Sequence, residues 1–171
     1  MRLPGGCVDS PVVSISGADL DRLQRCVELA RTALEAGDEP FGSVLVDADG
    51  QTLFEDHNRV QGGDATRHPE FEIARWAARH LTVEQRRASA VYTSGEHCPM
   101  CSAAHAWVGL GRIVYATSSA QLTQWLVEWG SAPSPVAPLP ISTVAPGVPA
   151  EGPVAEYEAE MKSLYAARFA R

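Results

Sequence analysis

The chain has 171 residues and a mass of 18.3 kDa, 45% hydrophobic and 20% charged, the balance of one globular domain that buries most of its apolar surface. Fourteen basic against 21 acidic side chains give a net charge of -7 and a pI near 5.2, which argues against a broad polyanion-binding surface. Lys162 is the single lysine and no glycine precedes Lys162-Ser163 at P-loop spacing, so nucleotide hydrolysis of that type and lysine Schiff-base chemistry are both set aside.

Leu20, Leu23, Val27, Ala30 and Leu34 recur at helical spacing, with Ser16 and Asp19 as a cap pair and Gly37 as a stop; they predict a helix over about 18–36. Residues 43–47 and 51–55 flank Asp49-Gly50, a dipeptide that tolerates the positive backbone angles of a tight turn, and read as a β-hairpin. A polar loop from Arg59 to Arg67 leads to His68-Pro69-Glu70, where proline suits the first position of a helix carrying Phe71, Ile73, Ala74, Ala77 and Leu81. Residues 89–93 read as a strand. Pro99 opens another helix through Ala103, Ala104 and Trp107 to a stop at Gly109 to Gly111, and 112–116 reads as a further strand.

A helix over 119–129 ends at Gly130, after which seven of the 12 prolines fall between Pro133 and Pro153. Val136, Leu139, Ile141 and Val144 make that stretch too apolar for a solvated linker. Residues 131–153 are therefore expected to lie on the body as an extended arm with an edge strand. A last amphipathic helix, 154–169, carries Val154, Tyr157, Met161, Leu164, Tyr165 and Phe169. The order of elements predicts an α/β fold, a mixed sheet with helices on both faces in a single domain over 1–171. No run approaches the roughly 18 apolar residues of a membrane span, and Met1 to Ser16 lacks the apolar core of a signal peptide; the expected location is the cytoplasm.

Two segments carry chemistry. Cys7 and Cys26 are isolated, whereas Cys98 and Cys101 form a C-x-x-C, which in a reducing compartment points to metal or redox work. Two thiolates and the imidazole of His68 are ligand types that zinc prefers, and three protein ligands leave the fourth tetrahedral position for water. Such a metal acidifies its water. Glu70, two residues past His68, is placed to take the proton and hand it to a leaving nitrogen. Both segments sit at helix starts, where the positive end of the helix favours thiolates and a carboxylate. Two other readings stand beside this one. A structural zinc would recruit His97 or His105 as a fourth ligand and exclude water, and a redox pair would belong in a thioredoxin-like βαβ context, which the opening helix and hairpin do not resemble.

His-x-Glu at 68–70 followed by the Cys-Pro-Met-Cys of 98–101 resembles the signature of the cytidine-deaminase superfamily of zinc hydrolases. The similarity runs over about 18–117 and includes Pro40-Phe41-Gly42, His57-Asn58 and Trp107. It implies a three-layer α/β/α fold on a mixed five-stranded sheet. It also implies one zinc per chain on His68, Cys98 and Cys101, with a bound water or hydroxide, proton transfer by Glu70, and a hydrogen bond from Asn58 to the base. Pro-Phe-Gly, Cys-Pro-Met-Cys and the later Trp look most like the guanine and cytosine deaminase branch that acts on free bases. Two positions depart from the pattern: His97 stands where proline is usual, and Pro69 where alanine or valine is common.

The reaction so implied is hydrolytic loss of ammonia from an amino-heterocycle such as guanine, isoguanine, cytosine, 5-azacytosine or an aminotriazine, since all present an amidine-like C–NH2. Phe41 and Trp107 are candidates for pocket walls, and His97 for a contact at the pocket lip. In the resembled branch the C-terminal segment closes the active site, sometimes across a homodimer, which makes the proline arm and last helix, with Glu151, Glu156 and Tyr157, the expected closing elements. Trp125, Glu128 and Trp129 could line the same side. The tRNA adenosine deaminases share the motif, but the last 21 residues hold three basic against four acidic side chains, a poor surface for phosphates. A non-catalytic zinc module is the alternative of another class.

Overall fold

Ser16 and Asp19 set the first helix. In the computed structural model, which describes residues 15–170 and so leaves Cys7 outside the described residues, the Ser16 N–H donates to the Asp19 carboxylate at 2.8 Å and the Asp19 N–H donates to Ser16 Oγ at 3.3 Å. This reciprocal cap opens α1 (Gly17–Glu35). The same Asp19 carboxylate accepts from the Tyr92 hydroxyl at 2.6 Å and pairs with Arg112. One cap residue thus ties the helix to two strands.

The hairpin follows as β1 (Gly42–Val46) and β2 (Thr52–His57), antiparallel, with a bulge between Leu45 and Val46. The Asp47 carboxylate accepts the N–H groups of Asp49 and Gln51 at 3.0 and 2.8 Å, and Gly50 takes the left-handed φ of +79° that the turn requires. β3 (Ala90–Gly95) pairs antiparallel with β1; β4 (Arg112–Thr117) and β5 (Ala150–Glu151) add in parallel, giving a mixed five-stranded sheet of order β2-β1-β3-β4-β5.

Alternation along the strands divides the core. Val44, Tyr92 and Val114 face α1, α5 (Ser119–Glu128) and α7 (Ala155–Phe169). Leu45, Val91 and Ile113 face α2 (Pro69–His80), α4 (Pro99–Val108) and α6 (Ile141–Val144). The result is the expected three-layer α/β/α arrangement. No helix among the described residues is long and apolar enough to cross a membrane.

Two elements depart from the sequence reading. Leu81 ends α2 in extended backbone, and a short α3 (Val83–Ala88) starts behind it from a second reciprocal cap, Thr82 with Gln85; the Thr-x-x-Gln spacing is the signal for it. The proline arm is not extended throughout. It contains the single turn of α6, buried through Ile141, before its edge strand β5, and Glu151 in that strand pairs with Arg112 at 3.3 Å.

At Gly42 the sheet lies close against α1. A Cβ there would lie 2.4 Å from the Leu29 side chain and 2.5 Å from the Cys26 carbonyl. Gly42→Ala is therefore expected to destabilise the chain by about 3 kcal/mol through overpacking, read as a lower midpoint in urea unfolding with an unchanged slope.

Candidate active site

The two metal-binding segments are built alike. His68 and Cys98 each precede a proline, which biases them to extended backbone, and Pro69 and Pro99 then occupy the first helical position, where no amide hydrogen is needed. Each residue becomes an N-cap, its side chain at the mouth of a helix. Cys101 follows one turn into α4. The two helices pack against each other on one face of the sheet, and their starts meet beside the ends of β3 and β4.

His68 Nδ1 lies 3.7 Å from both Cys98 Sγ and Cys101 Sγ, and the three ligand atoms fall within 4.8 Å of one another. Tetrahedral ligands at about 2.0–2.3 Å from one zinc sit roughly 3.5–3.8 Å apart, so this set fits zinc and leaves one coordination position free. Among the described residues no fourth protein ligand joins the group. The histidines offered for a closed site lie elsewhere: His97 and His105 are buried edge to face, ring centroids 5.3 Å apart, and His105 Nε2 donates to the Gly111 carbonyl at 2.8 Å.

Glu70 stands beside the metal ligands, with one carboxylate oxygen 3.7 Å from Cys101 Sγ. Its other oxygen accepts from the hydroxyls of Ser43 at 3.0 Å and Thr93 at 2.9 Å. These two residues are direct partners in the β1–β3 register, so the sheet itself orients the carboxylate. Burial raises the Glu70 pKa, with the His68 imidazole pulling the other way. At His68, burial opposes the charged ring, but the hydrogen bond with Cys98 and the Glu70 carboxylate outweigh it and hold the pKa at about 9. Cys98 falls to about 4 through its hydrogen bond with Cys101, against burial and with help from His68, while that same bond and burial push Cys101 well up.

A cavity opens over this group, lined by Phe41, His68, Glu70 and Cys98. Asn58 is fully buried and does not line the cavity, but it is joined to Phe41, which does: its N–H donates to the Phe41 carbonyl at 3.0 Å, its Oδ1 accepts from Val60, and its Nδ2 has no partner among the described residues. Trp107 does not line this cavity. It projects from the outer side of α4, away from Cys101 and Ser102, and is 87% exposed. His97 is not at the lip either; it lies under α4, and burial keeps its ring neutral.

The C-terminal candidates are replaced by neighbours. Glu156 is exposed and the Tyr157 hydroxyl donates to the Leu20 carbonyl at 2.7 Å, because the first turn of α7 packs on α1. Eight residues on, about 12 Å along the helix, Tyr165 reaches the cavity. α5 buries Trp125 in the core and presents Leu122, Thr123 and Leu126, while Glu128 pairs with Lys162. The arm adds Ser134, Val136, Ala137 and Pro138. Sequence reasoning missed Glu96, whose carboxylate accepts the N–H groups of Ser119 at 2.8 Å and Ile141 at 2.9 Å. Its only sequence signal was its place two residues before Cys98.

Residues 18–117, more than half of the chain, match the family described as the cytidine and deoxycytidylate deaminase zinc-binding region, and the chain belongs to that family. It is a deaminase, a hydrolase of C–N bonds. A probable cytosine deaminase of Schizosaccharomyces pombe is 31% identical over 122 residues, covering 70% of this chain and 72% of the relative. A guanine deaminase of Bacillus subtilis is 38% identical over 96 residues, 55% of this chain and 61% of that one. A tRNA-specific adenosine deaminase of Agrobacterium fabrum is 34% identical over 87 residues, 50% and 57% of the two chains. The solved guanine deaminase of Nitrosomonas europaea shares the fold, with a TM-score of 0.65 at 22% identity over 97% of this chain and 94% of that one.

The ligand pKa values predict how metal loads. Below about pH 9 the metal-free chain carries a proton on His68 and another on the Cys98–Cys101 pair, and zinc must displace both. Titration of the stripped chain near pH 7 in buffers of different ionisation enthalpy is expected to show about two protons released per zinc. Affinity should rise with pH, less steeply above about pH 9, where His68 has lost its proton and Cys101 still holds one.

Proposed function

We propose that the protein is a zinc-dependent deaminase of a small free nucleobase or related amino-heterocycle, of the guanine, isoguanine, cytosine, 5-azacytosine or aminotriazine type. The observation that carries this is the placement of Glu70 beside an open three-ligand site, oriented by Ser43 and Thr93. Zinc on His68, Cys98 and Cys101, one per chain, supplies a water acidified toward neutral pH.

Glu70 would carry one proton of that water to the ring nitrogen as its oxygen bonds to the amine-bearing carbon, and the second to the amine, which leaves as ammonia when the C–N bond breaks. Its two hydroxyl partners hold one oxygen, leaving the other toward the metal side for the transfer. The buried Asn58 Nδ2, its orientation set by the Val60 bond to Oδ1, is an unused donor for a ring edge. Phe41 packs one side of the ring. The arm and the C-terminal end of α7 close the site, through Val136, Pro138 and Tyr165. The exposed apolar face of α4, with Ala106 and Trp107, is where a second copy of the chain would pair.

A tRNA substrate fits less well. The arm over 131–149 holds no basic residue to meet phosphates, and the net charge is -7.

The test is ammonia release by the zinc-loaded chain against a panel of free bases, nucleosides and tRNA, with Glu70→Gln alongside. Release from at least one free base is expected, and Glu70→Gln should lower kcat by about 10²–10⁴-fold with zinc content unchanged. Undiminished turnover by Glu70→Gln would overturn the mechanism. Activity confined to tRNA would overturn the substrate class.

A further inference from the structure

Away from Glu70 and the metal ligands, the cavity wall is made of apolar side chains interspersed with hydroxyl groups and Glu96. Residues 131–149 contain no charged or carboxamide side chain, and they supply Val136, Ala137 and Pro138 to that wall, with Leu122 and Leu126 from α5. Val136 is 51% exposed although it borders the cavity, so apolar surface is left facing the opening.

The hydroxyl groups in this wall are largely committed within the protein. Thr117 Oγ1 bonds to the Ser94 carbonyl at 2.8 Å and the Tyr165 hydroxyl at 3.0 Å. Thr123 donates to the Ser119 carbonyl at 2.8 Å, and Ser118 donates to Gln121 at 3.1 Å in the cap of α5. Each oxygen of Glu96 already holds one backbone N–H. The donors left are the hydroxyl protons of Ser119 and of Ser134 at the exposed rim. A polar ring edge placed here would give up its bonds to water for few replacements.

We infer that the substrate is an amino-heterocycle bearing an alkyl or aryl substituent on the ring edge away from its amine, and that Leu122, Leu126, Val136, Ala137 and Pro138 select that substituent. This rests on the deaminase reading of the same site. It narrows the class: oxo-, amino- or ribosyl-decorated edges are disfavoured, and lipophilic aminopyrimidines or aminotriazines are favoured.

The test is calorimetric binding to the zinc-loaded full chain carrying Glu70→Gln, which blocks turnover. The ligands are an aminopyrimidine and an aminotriazine series substituted opposite the amine with hydrogen, methyl, ethyl and propyl, and their hydroxymethyl and amino counterparts. The dissociation constant is expected to fall about fourfold per added methylene, and the polar counterparts to lose that gain. Leu126→Ser and Val136→Ser should flatten the series. A flat series in the unsubstituted pocket, tighter binding of the polar counterparts, or no binding by any member would overturn the inference without reference to the variants.

Ammonia release by the chain with Glu70 intact separates the two readings. Turnover of the parent rings with no alkyl gain removes this inference and leaves the deaminase reading. An alkyl gain in binding with no ammonia from any ring removes the deaminase reading and leaves the ligand class.

Discussion

A carboxylate 5% exposed, set against a cysteine sulfur at 3.7 Å, is the constraint around which this molecule is arranged. Burying such a charge is costly unless donors and a cation offset it. Ser43 and Thr93 supply the donors, and they can do so because β1 and β3 pair in the one register that places them side by side. A slip of β1 by one residue would turn Ser43 to the other face of the sheet, away from Thr93 and Glu70. The register depends in turn on the approach of β1 to α1 at Gly42, and α1 depends on Asp19, which also grips Tyr92 and Arg112. The chain of dependence runs from a helix cap at residue 16 to the proton-transferring group at residue 70.

Much of this was legible in the sequence because it is local. Ser16 with Asp19, Asp49-Gly50, Pro69 and Pro99 each declare a boundary through short-range stereochemistry, and the elements they bound stand close to where they were expected. His68, Glu70, Cys98 and Cys101 were legible by residue type and spacing. What spacing could not reveal was orientation. Trp107 and Phe41 are both aromatic residues near motif segments, yet α4 turns one into solvent while the strand entry of β1 turns the other into the cavity. Glu156 and Tyr157 failed for a related reason: α7 touches the site with its last turns, and the periodicity of a helix says nothing about which end meets a cavity.

His97 and His105 show a different limit. A histidine beside a cysteine pair invites a ligand or substrate reading, and only the packed structure reveals that the His97 ring meets His105 of α4 edge to face, both held neutral by burial. Burial also lifts the thiol of Cys26 out of the reactive range. The reactive inventory of the described residues is thereby narrowed to the four side chains at the two helix mouths.

The segment between Ser131 and Ile141 is fastened at both ends. The Ser131 hydroxyl donates to the Phe169 carbonyl at 2.7 Å, and the Ile141 N–H donates to Glu96, two residues from Cys98. Between these anchors lie four prolines, at 133, 135, 138 and 140. Each fixes one backbone angle in advance, so the unbound segment already has little conformational freedom to lose. A ligand that settles against it meets a wall whose ordering entropy was settled at folding. Affinity there would be governed by the fit of the surfaces, with little drawn off to organise the chain.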